Sequence, residues 1–200
     1  MARRPPSSSR SSGSAPSPRR PRITDPVTLA TPALRHEEAF LAAVKRSRRL
    51  HGSWVKAPST SEQFRAFVRR GRAPTHESHL VLDLAGELVG VINISEIVRG
   101  IFLSGYLGFY AFTPSAGRGL MRAGLRLVVD RAFREYGLHR LEANVQPGNL
   151  RSRGLVESLG FRLEGFSPRY LKIAGRWRDH ERWAVTVEDW TAHRKGKRAA

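Results

Sequence analysis

The sequence predicts one mixed α/β domain in which a mostly antiparallel sheet is flanked by helices. Its 200 residues suit a single hydrophobic core, whereas two domains would be cramped. Helix-like and strand-like apolar patterns alternate early in the chain, and several strand-like segments follow near its end. We expect a disordered Ser/Pro/Arg-rich tail over residues 1–22, the folded domain over 23–192 and a basic tail over 193–200.

The first part of the domain predicts a short strand followed by two helices. The strand covers residues 27–30, and Thr31-Pro32 is a typical helix start, so a helix should run from there to about Leu50. Residues 60–63 resemble a capping box, which predicts a second helix ending near Gly71. The residues expected to face the core are Leu34, Leu41 and Val44 in the first helix and Phe64, Phe67 and Val68 in the second.

The middle of the chain predicts three strands and a long helix. Residues 79–84 and 88–94 form a hairpin signal around a tight turn at Gly86, and a third strand covers 106–112. The helix runs from Leu120 to about residue 136 and stops at Gly137. Its exposed side carries two pairs of opposite charges four residues apart. These pairs are Arg126 with Asp130 and Arg131 with Glu135.

The last part of the domain predicts a polar-faced strand, a short helix and three more strands. Residues 140–146 alternate, with apolar side chains on one face and Glu142, Asn144 and Gln146 on the other. Asn149 should cap a helix that ends at Gly160. The final strands are expected over residues 161–166, 170–173 and 183–187.

Between the strand ending at Phe112 and the long helix lies a loop with two glycines, Gly117 and Gly119. Glycine lets the backbone approach a ligand closely, and the N-terminus of a helix favours a phosphate or pyrophosphate group. A tight turn alone would also explain the two glycines. The loop is neither a P-loop nor a dinucleotide-binding fingerprint, because the residues that define those motifs are missing.

The composition excludes several classes of protein. With no cysteine, the chain has no disulfide, thiolate metal site or cysteine nucleophile. No apolar run approaches the roughly 20 residues that span a bilayer, and the N-terminus lacks the apolar segment of a secretory signal. The histidines show no metal-ligand spacing, so we expect no metal. A cytoplasmic location is consistent with these features.

The net charge of +18 is concentrated at the two ends of the chain. Residues 1–22 contain six arginines and no acid, and residues 194–198 add four basic side chains, which leaves +8 for the rest. Such segments attract polyanions such as RNA through salt-sensitive contacts, and the alternative is that they serve solubility alone.

Four segments follow one another in a recognisable order. They are Gly117-Arg-Gly119 before the helix, Leu138-His-Arg-Leu-Glu142, Asn149-Leu-Arg-Ser152, and Leu159-Gly-Phe161. This order resembles the GNAT superfamily of acetyl-CoA-dependent N-acetyltransferases, and most closely its RimJ/RimL branch, which acetylates protein N-termini. Residues 91–100 and 170–180 also look like that branch, so the resemblance runs from about Val27 to Trp190.

The resemblance implies a set of acetyl-CoA contacts. The end of the strand over 106–112 would bond to pantetheine through its backbone. The glycine loop and the start of the helix after it would hold the pyrophosphate. Asn149 would contact the cofactor as well as cap its helix. Ala116 stands where the family usually has Gln or Arg, which puts one phosphate contact in doubt. The expected contacts are Phe109, Tyr110, Ala111, Phe112, Gly117, Arg118, Gly119, Leu120, Met121 and Asn149.

The resemblance also suggests catalytic and acceptor residues. Ser152 is the candidate that protonates the departing thiolate, and the alternative is that it only occupies the first turn of its helix. Glu142 is the candidate base, unless it only pairs with Arg140, and Glu96, expected in the loop after Ile94, is the second candidate. Trp54 and Tyr170 would line the acceptor groove or pack structurally. Asp179-His180 is expected beside a turn between strands, paired with Arg176 or Arg178.

These features favour an enzyme that transfers acetyl directly to a primary amine, without a covalent intermediate. The acceptor implied by the resemblance is a protein N-terminal α-amine, with a ribosomal protein as the family-level expectation. Two alternatives stay open at this point. One is a small-molecule amine acetyltransferase, and the other is a non-catalytic GNAT scaffold that binds RNA or the ribosome through its basic tails.

Overall fold

The computed structural model describes residues 25–199, which contain one seven-stranded sheet with helices on both faces. The expected tail over residues 1–22 lies outside the described residues. The strands are β1 (Val27–Ala30), β2 (Glu77–Asp83), β3 (Leu88–Val98), β4 (Ser104–Ala111), β5 (Arg140–Val145), β6 (Arg162–Ile173) and β7 (Arg176–Thr186). The helices are α1 (Glu37–Arg46), α2 (Arg48–His51), α3 (Ser61–Arg70), α4 (Leu120–Arg134), α5 (Leu150–Ser158) and α6 (Val187–Ala199).

The strand order across the sheet is β1-β2-β3-β4-β5-β7-β6, and β4 and β5 are the neighbours that run parallel. All the other pairs are antiparallel. A parallel pair needs a crossover, which is α4 together with the glycine loop before it. The predicted mixed, mostly antiparallel sheet flanked by helices is therefore confirmed.

The two faces of the sheet carry separate hydrophobic clusters. One cluster packs α4, α5 and α6 against β3, β5 and β7 and includes Leu125, Leu141 and Trp183. The other packs α1 and α3 against β2 and β3 and contains the ring contacts of Phe40 with Phe64 and Phe112. The strand register places Glu142 and Asn144 of β5 on this second face of the sheet.

The predicted start of the first helix is wrong. Residues 34–36 form a 3-10 turn in which the Ala33 N–H donates to His36 Nδ1 at 3.0 Å, and α1 begins only at Glu37. Leu34 therefore lies outside the α-helical face and is 59% exposed instead of buried. The same region ends as two helices, because buried Ser47 donates through Oγ to the Ala43 carbonyl at 2.7 Å and accepts the Thr113 N–H.

The predicted capping positions are confirmed. Thr60 Oγ1 accepts the Gln63 N–H at the start of α3, and Asn149 Oδ1 accepts the Ser152 N–H at the start of α5. Asp83 closes the β2–β3 turn by accepting the N–H groups of Ala85 and Glu87. Both predicted charge pairs of α4 also form, at 3.7 Å for Arg126 with Asp130 and 3.0 Å for Arg131 with Glu135.

The late strands differ from the prediction because two irregular pairings join what looked like separate segments. Register shifts near Gly165 and between Ser167 and Leu171 allow β6 to continue through residue 173. The turn lies at Ala174-Gly175, both with positive φ, so Asp179-His180 is inside β7 and not beside a turn. Asp179 Oδ1 accepts the Arg169 N–H at 2.7 Å instead of pairing with the expected arginines, whereas His180 Nδ1 lies 3.0 Å from the carbonyl oxygen of Arg178.

The C-terminal end is a helix that the sequence pattern did not indicate. Residue 187 begins α6 instead of ending a strand, and α6 crosses the expected boundary at residue 192. Arg194 pairs with Asp130 of α4, whose carboxylate also accepts the Trp190 Nε1–H at 2.8 Å. This contact fastens α6 to the core helix.

Candidate functional site

The central feature of the sheet is the separation of β4 from β5. The two strands pair from Ser104 with Arg140 to Leu107 with Ala143, and both continue beyond that point without pairing to each other. Backbone groups of neighbouring residues point to opposite sides of a strand. The Phe112 N–H donates to Val89 of β3 at 2.7 Å, so the backbone groups of Phe109 and Ala111 face the open side.

The glycine loop leads from the end of β4 into the N-terminus of α4. Gly117 and Gly119 adopt φ values of +82° and +78°, and a Cβ atom at either would meet nothing within 4 Å. The first N–H groups of a helix have no acceptor within it, and the dipole makes that end positive. The loop therefore presents an open surface of backbone donors, as a phosphate site requires.

The N-terminus of α5 lies on the other side of the same opening. The Asn149 side chain accepts the Ser152 N–H at 3.2 Å, so the cap holds the backbone of Ser152 and leaves its hydroxyl for other contacts. Arg122 of α4 donates to Ser158 Oγ at 3.1 Å and to its carbonyl at 3.3 Å. This bridge fixes the distance between the two helices.

A cleft of about 790 Å³ connects these parts. It contains the open edge of β4, the glycine loop, the first residues of α4 and α5, and the side of α2. The predicted site residues that line it are Trp54, Phe109, Tyr110, Ala111, Gly117, Gly119, Met121, Asn149 and Ser152.

Other predicted cofactor residues are outside the lining of the cleft. Phe112 is fully buried in the core, and its carbonyl accepts the Ala116 N–H while its own N–H is bound to β3. Arg118 has an exposed side chain at the tip of the loop, and its N–H donates to the Ser115 carbonyl at 3.4 Å. Leu120 is the first residue of α4 and packs partly against the core.

Glu142 lies on the polar face of β5, directly beside Tyr106 of β4. Its carboxylate accepts from Arg140 Nε at 2.9 Å, and Arg140 also binds Glu164. Burial, followed by the nearby charge of Glu142, raises the pKa of Tyr106, and Tyr106 shares a hydrogen bond with Tyr170. The structure thus groups Glu142 and Tyr170 around Tyr106, outside the lining of the cleft.

The other two predicted acceptor residues, Trp54 and Glu96, lie in different parts of the structure. Trp54 borders the cleft and faces Gly148, where an added Cβ would lie 3.2 Å from the indole ring. Glu96 is exposed and belongs to β3 itself, at a positive φ of 49° where the register with β4 shifts. The expected loop after Ile94 is therefore an irregular part of the strand.

Two side chains in this region were not found from the sequence. His51 Nε2 lies 2.9 Å from the carbonyl oxygen of Ala111, 60 residues away in the chain. The Tyr110 hydroxyl is buried without a hydrogen-bond partner among the described residues, and burial raises its pKa, so it stays protonated at neutral pH. Neither relationship has a local signal, because each depends on where α2 packs against β4.

The described residues contain neither a metal-binding cluster nor a membrane-spanning helix. Within residues 25–199 no group of three or more His, Cys, Asp or Glu side chains could hold a metal ion. In the same part of the chain, every helix is too short or too polar to cross a bilayer.

Comparison with known proteins identifies the family. The family model of the acetyltransferase (GNAT) domain matches residues 27–162, more than half of the chain. Ribosomal protein uS5-alanine N-acetyltransferase of Escherichia coli (strain K12) is 43% identical over 108 residues, which cover 54% of this chain and 56% of that protein. The probable N-acetyltransferase YjcK of Bacillus subtilis (strain 168) is 39% identical over 102 residues, covering 51% and 56%. The match thus spans little more than half the length of these relatives.

A solved structure extends the comparison over most of the chain. Mycobacterium smegmatis RimJ in complex with CoA-disulfide superposes with a TM-score of 0.75 and 28% sequence identity, covering 82% of this chain and 83% of that one. On the sequence match and this fold, the chain belongs to the GNAT acetyltransferase family.

Proposed function

We propose that the protein is an acetyl-CoA-dependent N-acetyltransferase that transfers the acetyl group directly to a primary amine. The observation that carries this proposal is the single cleft that joins the open edge of β4, the glycine loop and Ser152. One ligand with a peptide-like arm and a pyrophosphate can contact all three. The family membership and the CoA complex of the RimJ structure support the same conclusion.

The residues present fit acetyl-CoA. Phe109 and Ala111 offer backbone groups on the free edge of β4, to which the amides of pantetheine can bond as an added strand would. Gly117 and Gly119 leave open space beside the backbone donors of α4, where a pyrophosphate would be held. The missing side chain at Ala116 removes one possible contact, but the backbone donors do not depend on it.

When bound, acetyl-CoA supplies an activated acetyl group as a thioester. Transfer forms the N–C bond, breaks the C–S bond and requires a proton for the sulfur. Ser152 lines the cleft at the first turn of α5, and we assign its hydroxyl, directly or through water, as the donor of that proton.

The amine must lose a proton before or during its attack. Glu142 is our candidate base, acting through water, since its carboxylate is on the polar face of β5 where the strands begin to separate. Its ion pair with Arg140 keeps the carboxylate in place and does not occupy all of its acceptor positions. Glu96 is the second candidate, and Trp54 and Tyr170 are proposed as walls of the acceptor groove.

A protein N-terminal α-amine, on a ribosomal protein, is the proposed acceptor. This assignment is based on the 43% identity with the uS5-alanine N-acetyltransferase. The basic segments over 1–22 and 193–200 would assist an encounter with the ribosome or RNA in the cytoplasm, because their attraction to polyanions acts over a distance and falls with salt.

Mass spectrometry of peptides incubated with acetyl-CoA tests the proposal. A peptide with a free N-terminal alanine should gain one acetyl group, and the same peptide with a formylated N-terminus should not. Ser152→Ala should lower kcat about 100-fold without changing the melting temperature, because the Asn149 cap binds the backbone and not the hydroxyl. Acetylation of free polyamines or amino acids with no peptide product would favour the small-molecule function. If no amine is acetylated, the enzymatic proposal is wrong.

A further inference from the structure

Two amide side chains stand on the polar face of the sheet with unsatisfied oxygen atoms. Asn93 Oδ1 in β3 and Asn144 Oδ1 in β5 are buried, and neither has a hydrogen-bond partner among the described residues. A buried acceptor without a donor is costly, so most such groups in folded proteins are paired. Two of them near one point indicate a ligand that brings its own donors.

The strand register places both asparagines beside Gly108. Asn93 is opposite Gly108 in the β3–β4 pairing. Leu107 is opposite Ala143, so Asn144 is the first residue of β5 beyond the paired region and comes next to Gly108 on the other side. The two side chains therefore flank Gly108 from the two neighbouring strands, on the same face.

Gly108 leaves a recess between them. It is exposed, and a Cβ atom built on it would meet nothing within 4 Å. The recess lies where β4 and β5 begin to separate, next to the edge formed by Phe109 and Ala111 that lines the cleft. A ligand over Gly108 would thus lie beside the end of the acetyl-CoA site.

We infer that the primary amine of the acceptor sits over Gly108 and donates hydrogen bonds to the amide oxygens of Asn93 and Asn144. This inference rests on the proposed N-acetyltransferase function. The terminal amide torsion of asparagine is broad and soft, so each oxygen can turn toward the recess when the amine arrives. An acceptor carboxylate or phosphate would be repelled here, because oxygen atoms would face oxygen atoms.

Neutral amides suit a nucleophilic amine better than carboxylates do. A carboxylate at this position would stabilise the ammonium form and hold back the proton that must leave before attack. An amide oxygen orients the N–H groups without that full charge. The pair thus positions the amine and also discriminates it from blocked N-termini, which have fewer donors.

Replacement of each asparagine by leucine, which has a similar shape and no acceptor, tests the inference. In Asn93→Leu and Asn144→Leu the acceptor KM for the alanine peptide should rise at least ~10-fold, while the Kd of acetyl-CoA stays within about twofold. In Asn144→Asp, which keeps an oxygen acceptor but adds a charge, the acceptor KM should stay near the wild-type value while kcat falls, because the carboxylate holds the amine as ammonium. Ser95→Ala, on the same strand, removes a hydroxyl that already donates to the Tyr106 carbonyl and should leave KM unchanged.

A second measurement separates positioning from folding. Calorimetry of CoA-bound protein with alanine peptide and its formylated form should show a preference for the free amine in wild type and none in the leucine variants. Their melting temperatures should not fall, because an unpaired buried oxygen is replaced by an apolar group. If wild type acetylates the peptide, and both leucine variants keep the wild-type acceptor KM and the preference for the free amine, the inference is wrong and the proposed function stands. If wild type acetylates nothing, both are wrong.

Discussion

His51 Nε2 lies 2.9 Å from the carbonyl oxygen of Ala111, and the two residues join α2 to the end of β4. A carbonyl can only accept, so Nε2 carries the proton of this bond. The imidazole is buried and meets the Tyr110 ring edge to face at 5.3 Å. This bond occupies the Ala111 carbonyl and holds the end of β4 in place. The Ala111 N–H stays available on the open edge for a ligand.

This contact makes His51 a positioning residue for the cofactor. In His51→Leu the carbonyl loses its donor and the end of β4 is free to move, so the Kd of CoA should rise about tenfold. His51→Gln keeps a donor at similar reach and should recover most of the affinity. Calorimetric titration with CoA measures both variants. Equal affinity in wild type and His51→Leu would show that the contact has no part in cofactor binding.

The two capping side chains provide a matched pair. Asn149→Ala and Thr60→Ala each remove an oxygen that accepts a backbone N–H, at 3.2 and 3.3 Å respectively. Each should lower the free energy of unfolding by about 1 kcal/mol. Asn149 lines the cleft, so its variant alone should also weaken CoA binding. Urea unfolding and CoA titration of both proteins check this, and equal CoA affinity in the two variants would limit Asn149 to its capping role.

Two glycines should respond in opposite directions to alanine. A Cβ at Gly90 would lie 2.4 Å from both Met121 Sδ and the Tyr110 carbonyl oxygen, so Gly90→Ala should destabilise the protein by about 3 kcal/mol. Gly154 lies inside α5 with nothing within 4 Å, and Gly154→Ala should stabilise it by up to about 1 kcal/mol. Urea unfolding distinguishes the two, and a stable Gly90→Ala protein would contradict the close approach of α4 to β3 and β4.

His79 should make stability depend on pH. Its side chain is 2% exposed, and burial, with a smaller contribution from the charge of Arg131, lowers its pKa to about 4. The unfolded chain therefore binds a proton from about pH 6.5 downward, whereas the folded protein resists it until about pH 4. The free energy of unfolding should therefore be highest above pH 6.5 and should fall by about 3 kcal/mol between pH 6.5 and pH 4.

Two variants test this prediction, one at the imidazole and one at its neighbour. His79→Gln removes the imidazole and should flatten the loss of stability between pH 6.5 and 4. Tyr136→Phe, which removes the hydroxyl 3.4 Å from His79 Nε2 but leaves the imidazole buried, should retain it. Chemical unfolding at a series of pH values measures the slopes. Identical slopes in wild type and His79→Gln would mean that another group controls the acid limb.

Local signals in the sequence predicted much of the fold. The caps at Thr60 and Asn149 and the turn at Gly86 were found because each depends on residues three or four positions apart. The start of α1 was missed because His36 accepts the Ala33 N–H, and the break after α1 was missed because the Ser47 hydroxyl donates to the Ala43 carbonyl. The length of β6 was missed because pairing with β7 overrides Gly165 and Pro168.

Some residues of the candidate site could likewise be predicted from local motifs, and others could not. The glycine loop and Asn149 have motifs that could be read directly. The contact of His51 with Ala111 and the meeting of Asn93 and Asn144 at Gly108 depend on strand register and helix packing, which link residues 50 or more positions apart. The predicted partner of Asp179 was wrong for the same reason, since the irregular pairing of β6 brings the Arg169 N–H to the Asp179 carboxylate.

Binding of acetyl-CoA by the loop at Gly117–Gly119 and the open edge of β4 is the step on which the proposed function depends. The most direct test is calorimetric titration of acetyl-CoA into wild type, Gly119→Trp and Gly137→Trp. Both variants put the same side chain at positive φ in open space, at opposite ends of α4, so they share the backbone strain. We predict micromolar-range binding by wild type and Gly137→Trp and none by Gly119→Trp. Absence of binding by wild type, or undiminished binding by Gly119→Trp, would show that this loop is not the acetyl-CoA site.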